Sequence, residues 1–140
     1  MIFSDLDKKV QKEILELLHN HIAISSEIIK KDRFLMPMMC LPDTNKLIGL
    51  QSRDGKIDIE KAYAHAVKTL KKEKFSYALF SYSRPLSITT GPIKGVLKTH
   101  IFTGNGLDVS FNTYYVVKGM LKNFSIEKSV FNEIKENVFG

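Results

Sequence analysis

Apolar residues Val10, Ile14, Leu17, Ile24 and Ile28 recur at alternating spacings of four and three once His21 is counted among them, and Leu18, Ile22 and Ile29 widen the same side. That period predicts an amphipathic helix. Ser4 followed by Asp5 and Asp7 supplies its start, because a hydroxyl can cap the free amides of a first turn while the acids oppose its positive end. Unbroken from Asp5 to Lys31, the helix would be about 40 Å long, comparable with the roughly 37 Å diameter of a compact chain of this length. It is therefore expected either to break near Ser25 and Ser26 or to pair its stripe with a second chain.

The period then changes. Two short apolar runs, Phe34 to Leu41 and Leu47 to Ser52, flank Pro42, Asp43, Thr44 and Asn45, the composition of a hairpin and its turn. Pro37 cannot donate to a ladder, so the first of these strands should lie at an edge or be interrupted there. Asp54 and Gly55 turn the chain into a second helix, capped by Asp58, with Ile59, Ala62, Tyr63, Ala66, Val67 and Leu70 on one face. Phe75 to Ser83 carries apolar or aromatic residues on both alternating faces, which suits a central strand, and Pro85 should end it.

A turn-rich connection containing Gly91 and Pro92 follows. The strand Val96 to Phe102 then meets Leu107 to Lys118 through Thr103, Gly104, Asn105 and Gly106, whose Asn-Gly pair is a strong hairpin signal. In the second arm Leu107, Val109, Phe111, Tyr115 and Val117 point one way. Asp108, Ser110, Asn112 and Lys118 point the other, so that face should be wet. Ser125 reads as the cap of a terminal helix that turns Ile126, Val130, Phe131, Ile134 and Val138 to the core. The order α-β-β-α-β-β-β-α implies an α+β fold, a mostly antiparallel sheet of about five strands with helices on one side. With no repeat, linker or low-complexity stretch, residues 1–140 are expected to form one domain.

Composition narrows the partners more than the fold. At 140 residues and 44% hydrophobic, the chain can bury a core without disulfides or structural zinc, and its lone Cys40 has no companion for either. The start, rich in acids and lysines, does not read as a signal peptide, and no apolar run approaches the roughly 18 residues of a membrane span. A cytoplasmic protein with no membrane partner and no cofactor is expected. The net charge of +6 and pI near 9.4 favour encounter with an acidic partner, nucleic acid or protein. Lysine dominates the basic residues, with Arg33, Arg53 and Arg84 the only arginines, so the planar fork suited to base edges is scarce.

Four strings invite chemistry. Pro42-Asp43 followed by Asp54-Gly55-Lys56 satisfies the loose PD-(D/E)xK pattern of metal-dependent nucleases. An intervening strand would hold the two acids some 20 Å apart, however, and Asp54-Gly55 is ordinary turn chemistry. His19-Asn20-His21 spells HNH without the spread ββα-metal context of that motif, though a histidine inside an apolar stripe must find a partner. Met36, Met38 and Cys40 share a strand face, which packing explains better than Cu(I) ligation, and no metal ligand set is assigned.

The last string is a spread of lysines interleaved with aromatics. Lys61, Lys68, Lys71, Lys72 and Lys74, with Tyr77, Tyr82, Lys98, His100, Tyr114 and Lys118, form a candidate binding surface for an acidic partner. P-loop, GxSxG and HExxH motifs are absent. If the chain is an enzyme, His100, Ser81, Ser83, Arg84 and Asp108 are the residues that strand ends and a wet sheet face could assemble. The leading expectation is a non-enzymatic accessory or binding protein, self-associating as a homodimer, with a basic face. Its rival is a small enzyme on the open sheet face, with a metal-dependent nuclease as one version.

Overall fold

The computed structural model describes residues 1–44, 46–50, 57–87 and 92–140. The turn residue Asn45, the Asp54-Gly55 turn with Lys56, and Gly91 lie outside them. Helix α1 (Lys8–Asp32) leads into strands β1 (Met38–Leu41) and β2 (Lys46–Gly49), then helix α2 (Ile59–Leu70). Four longer strands follow: β3 (Tyr77–Ser87), β4 (Ile93–Thr103), β5 (Asp108–Lys118) and β6 (Asn123–Lys135). All pairings are antiparallel, in the order β2-β1-β3-β4-β5-β6. The α+β class and the antiparallel sheet agree with the sequence pattern, and β3 is central as expected. The helices do not share a side, because each covers its own face of the sheet.

Helix α1 is continuous through Ser25 and Ser26. At 25 residues it is about 37 Å long. Ile14, Leu18, Ile22 and Ile29 pack against Leu79, Leu97, Ile101, Val109, Phe111, Tyr115 and Val117. Most of the stripe that suggested a second chain is thus covered by its own sheet, with Ile24 left exposed. The helix begins at Lys8 rather than after Ser4, which sits in a 3-10 turn, Phe3–Asp5. Phe3 pins that turn by meeting Phe111 edge-on and Phe131 at a tilt, with ring centroids 5.8 and 5.9 Å away. At the other end Arg33 adopts φ 73°, a left-handed cap whose amide donates to the Ile29 carbonyl at 2.8 Å.

Helix α2 starts as expected, with the Asp58 carboxylate accepting from the Lys61 amide at 3.1 Å. Its Ala62, Ala66 and Leu70 pack on Met39, Leu41, Ala78, Phe80 and Phe102, the opposite sheet face. Two alanines let the helix sit close to the strands. The chain end also closes this face, for Phe139 lies against Phe75 and Phe102 at 5.7 and 5.9 Å.

Strand β1 starts after Pro37, so the proline's missing donor costs the ladder nothing. Strand β3 runs past Pro85 to Ser87, with its register slipping between them. The expected Thr103–Leu107 hairpin is present, with Gly106 at φ 93°, a conformation that glycine adopts at little cost. At Gly95 an added Cβ would lie 2.4 Å from the Tyr115 hydroxyl, whose residue pairs with it across the strands.

The expected terminal helix is instead strand β6. Phe124, Ile126, Ser129, Phe131 and Ile134 pair with Val117, Tyr115, Thr113, Phe111 and Val109, and so share the α1 face. Two register shifts against β5 make their spacings two, three, two and three. Each bulge adds a residue and lets the strand resume on the same face. The mean period then falls between those of a strand and a helix, which is why the segment resembles an amphipathic helix.

Candidate nucleic-acid interface

The register fixes what lies on the α2 face, row by row. The row Ala78, Phe102, Asp108, Lys135 is followed by Phe80, His100, Ser110, Glu133. Next come Tyr82, Lys98, Asn112, Val130, and then Arg84, Val96, Tyr114, Lys128. The first two rows lie under α2 and the chain end. Asp108 and Ser110 are therefore buried, at 1% and 0% exposure, and the expectation of a wet face fails at these two positions. The α2 helix is simply not visible in the alternation of β5.

A polar network ties α2 to these rows. The Tyr63 hydroxyl donates to Asp108 Oδ2 at 2.6 Å, and His100 Nδ1 lies 3.0 and 2.9 Å from the two Asp108 oxygens. His100 is walled by the rings of Tyr63, Phe80 and Phe102, with centroids 5.1, 5.7 and 6.3 Å away. Burial raises the Tyr63 hydroxyl well above its ordinary range, and the bond to Asp108 and the charges of Asp108 and Glu133 add to it. Asn132 Nδ2 donates to Ser110 Oγ at 3.2 Å beside this cluster. The Lys135 ammonium lies 5.4 Å from the Tyr63 ring centre.

Beyond Tyr63 the face opens. Tyr82, Val96, Lys98, Asn112 and Tyr114 are half-exposed, and Arg84, Lys94, Lys118, Lys128 and Val130 are exposed. Burial lowers the Lys98 pKa, an effect partly offset by Glu133 and Asp108. The Lys128 ammonium sits 4.9 Å from the Tyr114 ring centre. Two tyrosines and five cations thus share one open half-sheet, with Glu133 at its inner border.

Of the five residues grouped from sequence as a possible catalytic set, only His100 and Asp108 meet. Ser81 lies on the α1 face, buried, where its hydroxyl is 2.6 Å from His21 Nε2. Ser83 is on that face too, its hydroxyl accepting from the Leu35 amide at 2.6 Å. Arg84 shares the face of His100 but lies two rows away and is exposed.

The binding residues split as well. Lys98, Tyr114 and Lys118 are on the open half-sheet, whereas Lys61 and Lys68 are exposed on α2, and Lys71 and Lys72 follow its end. Tyr77 faces α1 and bonds to Glu13, and burial, with that bond and the Glu13 charge adding to it, pushes its hydroxyl up to about 12. Lys94 and Lys128 escaped sequence reasoning, the latter because its segment read as a helix. Tyr63 was visible as a tyrosine in a stripe of alanine and aliphatic residues, and its hydroxyl needed a partner.

The described members of the chemistry-like strings have local roles. Asp43 Oδ2 accepts from the Ser76 amide at 3.0 Å, steadying the entry to β3, while Asp54 lies outside the described residues. Met38 and Cys40 pack on the α1 face and Met39 on the α2 face. No group of three or more His, Cys, Asp or Glu residues poised to hold a metal occurs among the described residues. No described helix is long and apolar enough to cross a membrane. No known protein family matches this chain, and neither a curated protein nor a solved structure resembles it.

Proposed function

We propose that the chain is a non-enzymatic binding module that holds single-stranded nucleic acid across the open half of its sheet. The observation that carries this reading is the strand register, which sets Tyr82 and Tyr114 on one exposed face with Arg84, Lys94, Lys98, Lys118 and Lys128. Unstacked bases lie flat on tyrosine rings, and ammonium groups around the rings neutralise the backbone. Lysine suffices for this because stacking and phosphate contacts do not require the arginine fork. An acidic protein could also use the charge and the tyrosines, and loss of oligonucleotide binding in the tyrosine variants is what separates the two partners.

Anisotropy of a labelled oligouridylate, titrated with protein at several salt concentrations, tests the reading. Three or four phosphate contacts predict a log-log slope of about −2 to −3 for a single strand. Tyr82→Ala and Tyr114→Ala should each weaken binding by roughly 1–3 kcal/mol. Lys61→Ala with Lys68→Ala, on the outer side of α2, should leave it nearly unchanged. Absence of binding at low ionic strength, or equal losses from both sets, sinks the proposal.

One observation favours a second reading, a small hydrolytic enzyme. A histidine whose Nδ1 is held by a buried carboxylate has the arrangement of a general base acting through Nε2, and His100 borders the row of Lys98 and Asn112. Cleavage of the bound strand that persists in chelator and disappears in Asp108→Asn would favour this version.

A further inference from the structure

Strands β5 and β6 are joined by the turn Gly119, Met120, Leu121, Lys122, closed by the Lys122 amide donating to the Gly119 carbonyl at 3.1 Å. Gly119 takes φ 86° and Lys122 φ 50°, which brings the two apolar residues to the apex. Turn apices ordinarily carry Gly, Asn, Asp, Ser or Pro. Met120 is fully exposed and Leu121 is 85% exposed, and a Cβ placed on Gly119 would meet nothing within 4 Å. The tip therefore projects from the sheet, and its apex side chains lie open rather than packed among the described residues.

Its immediate surroundings are mostly basic, with Asp32 and Glu127 farther back. Lys118 and Lys122 flank the apex, and Arg84 and Lys94 stand at the same end of the sheet. Stretches 84–87, 92–94 and 116–126 contain no acid. Leu86, 58% exposed, adds a third apolar side chain at this end. Asp32 is at the end of α1, with Arg33 beside it.

We infer that this hairpin tip is a peripheral anchor for an anionic lipid bilayer, with Met120 and Leu121 entering the interfacial layer and the lysines resting among negative headgroups. A projecting tip whose two apolar side chains stand free at its apex suits a soft surface better than a protein pocket. Apolar insertion and cationic attraction are the two signals that reversible interfacial attachment combines. The expectation that no membrane takes part rested on the absence of a spanning segment, and a tip entering only the interface needs none.

Co-sedimentation of the full chain with phosphatidylcholine vesicles, with and without phosphatidylglycerol, provides the test. The unmodified protein should pellet with the anionic vesicles and stay in solution with the zwitterionic ones. Met120→Ser combined with Leu121→Ser should lower the partition coefficient about tenfold to a hundredfold. Circular dichroism should be unchanged, because neither side chain packs on the body.

The chain contains no tryptophan, so Leu121→Trp places a single reporter at the apex. Its emission should shift to the blue on anionic vesicles. Failure of the unmodified protein to pellet with anionic vesicles overturns the inference. So does pelleting that the double serine variant leaves unchanged, or a Leu121→Trp spectrum that does not move when the protein is bound, since the attraction would then be charge alone.

Discussion

The two faces of the sheet are closed by helices of unequal length, 25 residues on one side and 12 on the other. On the α1 face the β5 residues from Val109 to Val117 are buried although their β6 partners Ile126 and Ser129 are exposed, and even small polar residues there, Ser25, Ser81, Thr99 and Thr113, are fully buried. Ser25 Oγ and Thr99 Oγ1 have no hydrogen-bond partner among the described residues. On the α2 face sealing stops near the row of Phe80, His100 and Ser110, and aromatic and cationic residues collect beyond it. Both faces carry a buried histidine, but in different settings. His21 meets a serine, whereas His100 meets a carboxylate that also anchors α2. Helix length, rather than strand composition alone, thus separates a structural face from one available to a ligand.

The strongest challenge to this comparison is a cavity under the short helix. Phe80→Ala, at a fully buried position against Tyr63 and Tyr82, should cost about 3–5 kcal/mol in urea unfolding. A loss below about 1 kcal/mol would mean that α2 does not close its half of the face.

Acid should act on the other face. Burial holds the folded-state pKa of His21 at about 4, against 6.5 unperturbed. The unfolded chain therefore takes up the proton first as pH falls. The stability present above pH 6.5 is lost down to about pH 4 and then levels, a change of about 3 kcal/mol. Unfolding midpoints measured across that window should show this slope in the native protein, and His21→Leu should remove it.

Tyr63→Phe probes the latch between α2 and Asp108. Loss of a hydrogen bond to a carboxylate predicts about 1.5 kcal/mol, softened because His100 still contacts Asp108. Thermal unfolding measures it, and hydrogen exchange should show the α2 amides opening more than those of α1. The smallest effect is expected on the outer side of α2, where Lys61→Ala should change stability by no more than about 0.5 kcal/mol in the same assay.

Several elements were legible in the sequence because local chemistry decided them. Asp58 and the apolar face from Ile59 to Leu70 specified α2, and Asn105-Gly106 specified its hairpin. Strand β6 was not legible. Its bulges produce an apolar spacing that a helix would also produce, and only pairing with β5 distinguishes the two. For the candidate site, His100 and Asp108 could be grouped by residue type and strand position. Ser81 was misplaced among them because adjacent strand residues point to opposite faces, so its neighbour in sequence, Phe80, shares the face of His100 while Ser81 does not.

The sequence by itself determined where the chain turns, which stretches bear one apolar side, and that the molecule is basic, because periodicity, capping and charge are properties of short segments. Tertiary structure alone decided that the two helices take opposite faces, that Asp108 and Ser110 are buried, and that tyrosines and lysines from four strands share one open surface. Those outcomes depend on the register between strands distant in sequence and on how far each helix reaches, which no single segment encodes.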